Sequence, residues 1–200
     1  MSGIKNVRKS KKRKATPIKA FMSESPYDSA TEYGNSMLCL EALLCETLED
    51  VDEAEIKNRV SRFEHYMFGI LEANRDINIT AIKEPGDFVR KHFINSLAIL
   101  EEPEFKSAKR VIDIGTGGGF PGIPLAISCP EKSFVLADSL KKRLKVVGSL
   151  AREIGLSNVE VLHGRAEDLG REGEFRENFD LCVCRAVASL PVLCEYGLPL

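Results

Sequence analysis

Hydrophobic residues change their spacing near residue 110, and this change divides the chain into two kinds of structure. Between residues 36 and 104, apolar positions recur at mostly helical intervals, which predicts amphipathic helices. From residue 110 onward, short apolar runs alternate with helical patterns, which is typical of a parallel sheet with helical connections. The pattern predicts an N-terminal helical region over 36–104 and an α/β domain over 105–200.

The helical region contains three periodic stretches of apolar residues. They run over about Leu40–Leu48, Ile56–Leu71 and Phe88–Leu100. Asn78 and Thr80 lie in the break before the third stretch, where such side chains favour a turn. We therefore expect three helices with a turn between the second and the third.

Four strands are predicted in the α/β domain. They are Arg110–Ile114, Ser133–Ala137, Val159–Leu162 and Phe179–Cys184. A long helix over about Leu140–Ile154 separates two of them and ends at Gly155. The sequence stops soon after the fourth strand, so a doubly wound sheet is expected to be truncated at its C-terminal side.

Residues 1–35 lack apolar periodicity and are predicted to be a disordered basic leader. Eight basic residues and no acid lie between Lys5 and Lys19, although the whole chain carries a net charge of −2. Such a segment is either an RNA-binding arm, because lysines neutralise phosphates without sequence preference, or a non-native or misassigned leader.

The composition, 44% hydrophobic, fits one α/β domain with appendages. No apolar run approaches the roughly 20 residues that span a bilayer, so we expect a cytoplasmic protein without a membrane segment. The six cysteines are not arranged in C-x-x-C pairs and the three histidines do not cluster. We therefore predict buried, reduced thiols and no metal site.

The most informative motif is the glycine-rich loop that follows the first strand and runs from Asp113 to Gly122. Its glycines permit positive φ and let a ligand approach the backbone. Gly117, Gly119 and Gly122 fit the G-x-G-x-x-G pattern of dinucleotide-binding folds. The alternative D-x-G-x-G-x-G pattern of S-adenosylmethionine-dependent methyltransferases fits Asp113, Gly115, Gly117 and Gly119. An ordinary glycine-rich turn is the third interpretation.

Residues at the ends of the other strands favour the methyltransferase interpretation. Asp138 and Ser139 follow the second strand, where a carboxylate accepts hydrogen bonds from ribose hydroxyls. Ala166 and Glu167 follow the third strand and are expected to face an adenine. An acid at Asp113 is typical of methyltransferase loops, and the sequence offers no obvious hydride-transfer pair for a nicotinamide enzyme.

The residues after the fourth strand disfavour two kinds of methyl transfer. They contain no Asn/Asp-Pro-Pro-aromatic motif, which amino-group methylation of bases usually requires. Cytosine C5 methylation needs a cysteine nucleophile, commonly after proline, whereas Cys184 follows Val183.

From about Met37 to Leu200 the chain resembles the bacterial small-subunit rRNA guanine-N7 methyltransferases, also called glucose-inhibited division protein B. The Gly-Phe-Pro-Gly-Ile-Pro extension of the glycine loop, at 119–124, is the most specific part of the resemblance. The other matching motifs are Asn78-Ile79-Thr80-Ala81-Ile82, Lys91-His92-Phe93 with Ser96, Asp138-Ser139 with Lys142-Arg143, and Arg185-Ala186.

The resemblance implies a Rossmann-like fold and methyl transfer from S-adenosylmethionine to N7 of one guanine in 16S ribosomal RNA. The partner is then 16S rRNA or the small ribosomal subunit, and we expect a monomer. It implies cofactor contacts by Gly115, Phe120, the Ala166-Glu167 pair and Arg185, with Asp138 as the ribose acid. The full predicted cofactor set is Asp113, Gly115, Gly117, Gly119, Phe120, Asp138, Ser139, Ala166, Glu167 and Arg185.

Arg185 is also the candidate for positioning the substrate, by contact with guanine O6 or a phosphate. The alternative is an arginine tied to Glu167 or Asp138 that only shapes the pocket. Lys142 and Arg143 either contact RNA or form a solvated helix face. Two rival functions stay open: a methyltransferase with another RNA or small-molecule substrate, and an inactive truncated fragment that only binds RNA.

Three positions depart from the family pattern. Asn95 stands where the family usually has Asp, Cys184 where it has Ser, and Val187 where it has Phe. These departures concern the expected substrate side of the site more than the cofactor side. His92, on an apolar helix face, is expected to be a structural histidine.

Overall fold

The computed structural model describes residues 26–48 and 50–200 of the chain. Most of the predicted leader, and its run of basic residues, lies outside these ranges. Helical elements precede the sheet, as the apolar spacing predicts. They are α1 (Glu32–Thr47), α2 (Glu53–Ala73), α3 (Pro85–Phe88), a π-helical segment (Val89–Ile94), α4 (Asn95–Leu97) and α5 (Pro103–Ser107).

The first helix begins at Glu32, inside the stretch 1–35 for which the sequence predicts disorder. The residue before it, Thr31, has extended backbone, and its hydroxyl accepts a hydrogen bond from Gly34 N at 2.9 Å. Such a cap satisfies one of the amide groups that a helix N-terminus leaves unpaired. The cap places the start of α1 before the first periodic apolar residues, so the helix begins earlier than the apolar spacing predicts.

The third predicted helix is one continuous helical run, but its middle is π-helical over Val89–Ile94. A π-helix has i→i+5 hydrogen bonds and is frequent at functional sites. Val89 and Phe93 point into the core, while His92 is half-buried. Apolar spacing predicts that a helix is present here. It does not distinguish a π-helical turn, which contains one extra residue, from an α-helical turn.

The α/β part contains β1 (Arg110–Ile114), α6 (Gly122–Ser128), β2 (Ser133–Asp138), α7 (Lys141–Glu153), β3 (Val159–His163), α8 (Ala166–Leu169), β4 (Leu181–Val183) and α9 (Leu190–Gly197). All pairings are parallel and the strand order is β3-β2-β1-β4. The chain therefore continues to one side of β1 through β2 and β3, and to the other side at β4. In open α/β sheets, ligands bind at the carboxyl ends of the strands near such a reversal.

The fourth strand is shorter than predicted, Leu181–Val183 instead of Phe179–Cys184. At its start, the amide of Phe179 bonds to Leu200 O rather than to a neighbouring strand. Shortly after its end, Ala186 has a left-handed φ of +58°. The apolar run therefore extends beyond the residues that pair: Phe179 bonds to Leu200 O before the strand, and the chain leaves the strand through the left-handed residue Ala186.

The two faces of the sheet are covered unequally. The larger hydrophobic cluster joins one face to α1, α2, α6 and α7, and it includes Phe63, Tyr66, Val111 and Leu136. The smaller cluster lies on the other face, against α8 and the C-terminal residues. Leu190 and Leu198 of this C-terminal stretch are 73% and 82% exposed. Most of the apolar burial therefore lies on the face of the sheet that packs against the N-terminal helices, α6 and α7.

All six cysteines are free, as predicted, but of the six only Cys129 is buried. Cys39 and Cys194 are exposed because their helices turn these positions away from the core. Among the described residues, no helix combines the length and apolar character that a membrane span requires.

Candidate functional site: the strand ends and the Arg185 cluster

The glycine loop turns sharply at the end of β1. Gly115, Gly117 and Gly119 have φ values of +68°, +57° and +86°. A side chain is strained in this left-handed region, so three of the predicted glycines are required by the backbone itself. Thr116 N donates to Ala137 O at 3.0 Å, which ties the loop to the end of β2.

Asp113 lies beneath the loop and is fully buried. Its Oδ2 accepts hydrogen bonds from the Thr116 hydroxyl at 2.7 Å and from Gly122 N at 2.9 Å. Its Oδ1 has no hydrogen-bond partner within the part of the chain that the structure describes. Burial raises the pKa of this carboxyl to about 7, against the lowering effect of the two hydrogen bonds. Asp113 therefore holds both ends of the loop together.

Asp138, at the end of β2, connects the glycine loop to the start of α7. Its Oδ2 accepts from Gly117 N at 2.8 Å, and its Oδ1 accepts from Leu140 N at 2.7 Å. A carboxylate oxygen has two lone pairs, so each oxygen keeps the capacity for one further donor. The carboxylate can therefore hold the loop and still accept from a ligand hydroxyl.

A cavity of about 320 Å³ lies at the carboxyl ends of the strands. Five residues of the predicted cofactor set line it: Gly115, Asp138, Ser139, Ala166 and Glu167. The remaining lining residues are Ile114, Ala137, Leu140, Arg143, Gly164, Arg165, Ala186, Val187 and Tyr196. Its volume and mixed lining are within the range of small-molecule sites.

The remaining residues of the predicted set lie outside this lining. Gly117 bonds to Asp138 from the loop, and Asp113 lies below it. A Cβ on Gly119 would lie 2.4 Å from Tyr66 Oη, so this glycine faces α2. Phe120 is buried in the aromatic cluster behind the loop.

A larger groove of about 800 Å³ lies between α2 and α7. Its lining includes Glu64, Glu72 and Glu153, and Phe68 beside them is 49% exposed. The groove lies on the outer faces of two helices and takes no residue from the strand ends or the glycine loop. We therefore place the candidate site at the smaller cavity.

Arg185 is bound to the N-terminal helices. One guanidinium nitrogen donates to Lys91 O at 3.0 Å and to Ser96 Oγ at 3.3 Å, and the other contacts His92 Nδ1 at 2.7 Å. The guanidinium carbon lies 5.8 Å from the centre of the Phe120 ring. In the structure the guanidinium is therefore bonded to the helical region, rather than to Glu167 or Asp138 as in the alternative interpretation.

The partners of His92 determine its protonation state. A guanidinium only donates, so Nδ1 is the acceptor and the proton lies on Nε2. Nε2 then donates to Thr80 Oγ1 at 2.8 Å. Burial, with a smaller effect of the Arg185 charge, lowers the pKa of His92 to about 4. The ring stacks on Phe120 with centroids 4.3 Å apart and an interplanar angle of 5°.

We use the name Arg185 cluster for Arg185, His92, Thr80, Ser96 and Phe120. The cluster joins the end of β4 to the π-helical segment and to the turn before α3. The sequence indicates Arg185 and Phe120 through the family resemblance, but treats His92 and Thr80 as structural. The sequence signal that could have indicated the His92–Thr80 contact is a polar residue on an apolar helix face, twelve positions after a threonine in a turn.

Arg143 is bound within the protein rather than solvated. Its guanidinium donates twice to Asn78 O, at 2.8 and 3.1 Å, which fixes α7 to the turn before α3. Lys142, the neighbouring residue, is exposed. The predicted basic pair therefore separates into one structural arginine and one solvent-facing lysine.

Comparison with known proteins agrees with this geometry. The sequence model of the family described as rRNA small subunit methyltransferase G matches residues 59–200. The chain belongs to this family.

Curated relatives named ribosomal RNA small subunit methyltransferase G cover most of the chain. The protein from Clostridium tetani is 44% identical over 157 residues, which are 78% of this chain and 66% of that protein. The protein from Desulfitobacterium hafniense is 46% identical over 143 residues, covering 72% and 59%. The protein from Thermoanaerobacter sp. is 44% identical over 140 residues, covering 70% and 58%. The chain thus spans less than two thirds of the length of these relatives.

The three departures from the family pattern lie around the site. Asn95 is exposed just after the π-helical segment, and Cys184 is half-buried at the end of β4. Val187 packs on Gly115, where an added Cβ would lie 2.5 Å from Val187 Cγ2. In this member of the family, a small side chain at 187 therefore lies directly against the first glycine of the loop.

Proposed function

We propose that this protein transfers a methyl group from S-adenosylmethionine to N7 of a guanine in 16S ribosomal RNA. The observation that carries the proposal is the cavity at the strand ends, in a chain of the rRNA small subunit methyltransferase G family. The cavity combines a carboxylate with spare acceptor capacity, Asp138, and a glycine turn. These features fit a nucleoside with a ribose diol.

The residues present fit this cofactor in named roles. Asp138 accepts hydrogen bonds from the ribose hydroxyls, and Ser139 lies next to it at the cavity wall. Ala166 and Glu167 begin α8 after β3 and line the cavity, where they would face the base. The glycine loop supplies the backbone at the end of β1. When bound, the cofactor supplies a methyl group on a sulfonium centre.

The chemistry explains which groups the site needs. Guanine N7 carries an unprotonated lone pair on the major-groove edge of the base. No proton has to be removed before it accepts a methyl group, so the site needs no general base. Holding the two reactants in line can itself lower the barrier by roughly 7–11 kcal/mol. The task of the protein is therefore positioning, for which Arg185 is the substrate-side candidate.

Arg185 suits this role because it is charged and held in place. Its guanidinium is half-buried near Phe120 and bonded to the backbone of the π-helical segment. A guanidinium can donate to guanine O6 or to a phosphate. We propose that it positions the guanine or the adjoining phosphate for the reaction.

The test is a methylation assay on purified small ribosomal subunits with isotope-labelled S-adenosylmethionine. We expect a single labelled guanine in 16S rRNA, whose N7 methylation is identified by mass spectrometry of nuclease fragments. Free nucleosides and deproteinised rRNA are the comparison substrates. Labelling of another base or atom, or of no RNA, would contradict the proposal and would favour the rival substrates or an inactive fragment.

A further inference from the structure

The Arg185 guanidinium is held by four acceptors from the helical part of the chain. Three of them, Lys91 O, His92 O and Ser96 Oγ, lie within or next to the π-helical segment, at 3.0, 3.5 and 3.3 Å. The fourth, His92 Nδ1, makes the shortest of these contacts, at 2.7 Å. It is also an acceptor that a substitution can remove while the backbone stays in place.

The His92 ring is itself fixed in plane and in protonation. Its stacking on Phe120, with planes 5° apart, sets the plane of the ring. Thr80 Oγ1 accepts both from His92 Nε2 and from the amide of Ile82, at 2.8 and 3.1 Å. The Arg185 guanidinium can only donate, so Nδ1 is the acceptor and the proton lies on Nε2, from which Thr80 Oγ1 accepts.

Thr80 is in turn held by Asn74 at the end of α2. The Asn74 side chain accepts from the amides of Ile79 and Thr80 and donates to Thr80 O, at 2.8, 3.0 and 2.8 Å. A continuous series of hydrogen bonds therefore runs from the end of α2, through the turn and His92, to Arg185 at the end of β4.

We propose that His92 is a positioning residue for the methyl-transfer site, and that its neutral Nδ1 fixes the Arg185 guanidinium for the substrate. The role of Thr80 is to accept from Nε2 in the tautomer that the Arg185 contact requires, and so to hold the ring in place. This inference rests on the proposed function, because it takes Arg185 to act in the site. If His92 only filled space, the substitutions His92→Asn and His92→Gln would have equal effects.

Two substitutions separate the acceptor from the volume of the ring. In His92→Asn, the amide oxygen reaches about where Nδ1 lies and can still accept from Arg185. In His92→Gln, the longer side chain reaches about where Nε2 lies and contacts Thr80 instead. Both variants lose the stacking on Phe120, so a difference between them reports the acceptor. His65→Gln, on the exposed side of α2, is the matched surface control.

The first readout is steady-state methylation of small subunits. We expect His92→Gln to lower kcat by about tenfold or more, the usual effect of losing one hydrogen bond to a charged group. His92→Asn should retain several times more activity than His92→Gln, and the KM for the cofactor should change less than kcat in both. Melting temperatures measured on the same samples separate loss of function from loss of folding.

The second readout does not depend on catalysis. Nitrogen-15 NMR detects the guanidinium N–H groups of Arg185, with Arg185→Lys to assign the signals. We expect separate, slowly exchanging signals in the wild type and in His92→Asn, and averaged signals in His92→Gln. Equal exchange in all three proteins, or equal loss of kcat in both His92 variants, would overturn the inference. An inactive wild type with the expected NMR pattern would contradict only the proposed function.

Discussion

On one side of the candidate site, the glycine loop is held by Asp113 and Asp138, whose bonds to it span 9 and 21 positions in the sequence. Next to the cavity residues Ala186 and Val187, Arg185 is held by Lys91, His92 and Ser96, which lie 89 to 94 positions away. We call the glycine loop with Asp113 and Asp138 the first wall, and Arg185 with its three partner residues the second wall. The first wall is held together by backbone amides and by carboxylates of adjacent strands. The second uses side chains and carbonyls of a separate helical region. We therefore expect changes in the first wall to affect mainly stability, except at Asp138, which also faces the cofactor, and changes in the second to affect mainly activity.

The largest effect is expected from Asp113→Asn, through the pH dependence of stability. Burial raises the pKa of this carboxyl from 3.8 to about 7, so the folded state keeps a proton that the unfolded state has lost. The stability of the wild type should therefore fall as the pH rises from about 4 to about 7. The asparagine variant lacks this contribution, and the difference between the two should grow by about 4 kcal/mol across the window.

Denaturant unfolding at several pH values measures this difference, and Asp76→Asn in the exposed turn after α2 is the control. Parallel pH profiles for wild type and Asp113→Asn would mean that the buried carboxyl titrates normally. In that case Asp113 would bind the loop as a carboxylate throughout the pH range.

Gly119→Ala tests the contact between the glycine loop and α2. The substitution adds a Cβ 2.4 Å from Tyr66 Oη to a residue with φ of +86°. We expect a loss of roughly 3 kcal/mol in the free energy of unfolding, from the left-handed conformation and the overlap together. Gly117→Ala is the matched control, because its φ is +57° but the nearest atom to the added Cβ is at 3.9 Å. Equal losses of unfolding free energy in the two variants would show that the overlap with α2 does not add to the destabilisation.

Arg185→Ala tests the second wall. We expect methylation of small subunits to fall by about a hundredfold, as for a lost positioning group, with a change in unfolding free energy of about 1 kcal/mol or less. Arg171→Ala, at an exposed position after α8, is the control. Near-normal methylation by Arg185→Ala would remove Arg185 from the mechanism. A large loss of stability would instead show that Arg185 mainly stabilises the fold.

The smallest effect is expected for Asp138→Asn, at the point where the first wall meets the cofactor. The amide presents N–H groups where the carboxylate accepts from Gly117 N or Leu140 N. We expect the affinity for S-adenosylmethionine, measured by calorimetry, to fall by about tenfold. Glu160→Gln, an exposed position on β3, is the control. Unchanged affinity would contradict the role of Asp138 as the ribose acid.

The first wall can be predicted from the sequence better than the second, because its contacts join residues that are closer in the sequence. The strand after residue 110, the glycines and Asp138 are recognisable because each element is contiguous in the sequence. The Arg143 bond to Asn78 and the Arg185 bonds to His92 and Ser96 are not, because no local pattern specifies a partner so far along the chain. The π-helical segment was missed for a related reason: one inserted residue changes hydrogen bonding but barely changes apolar spacing.

The sequence by itself determined the order of helices and strands, the glycine turn with its positive φ values, and the acids at the ends of β1 and β2. These follow from periodicity, from the backbone freedom of glycine and from the position of a residue relative to its strand. Only the tertiary structure decided that Asp113 lies under the loop rather than against the cavity, and that His92 faces Arg185. Burial and hydrogen bonding depend on which segments pack together, and that packing is a property of the whole fold.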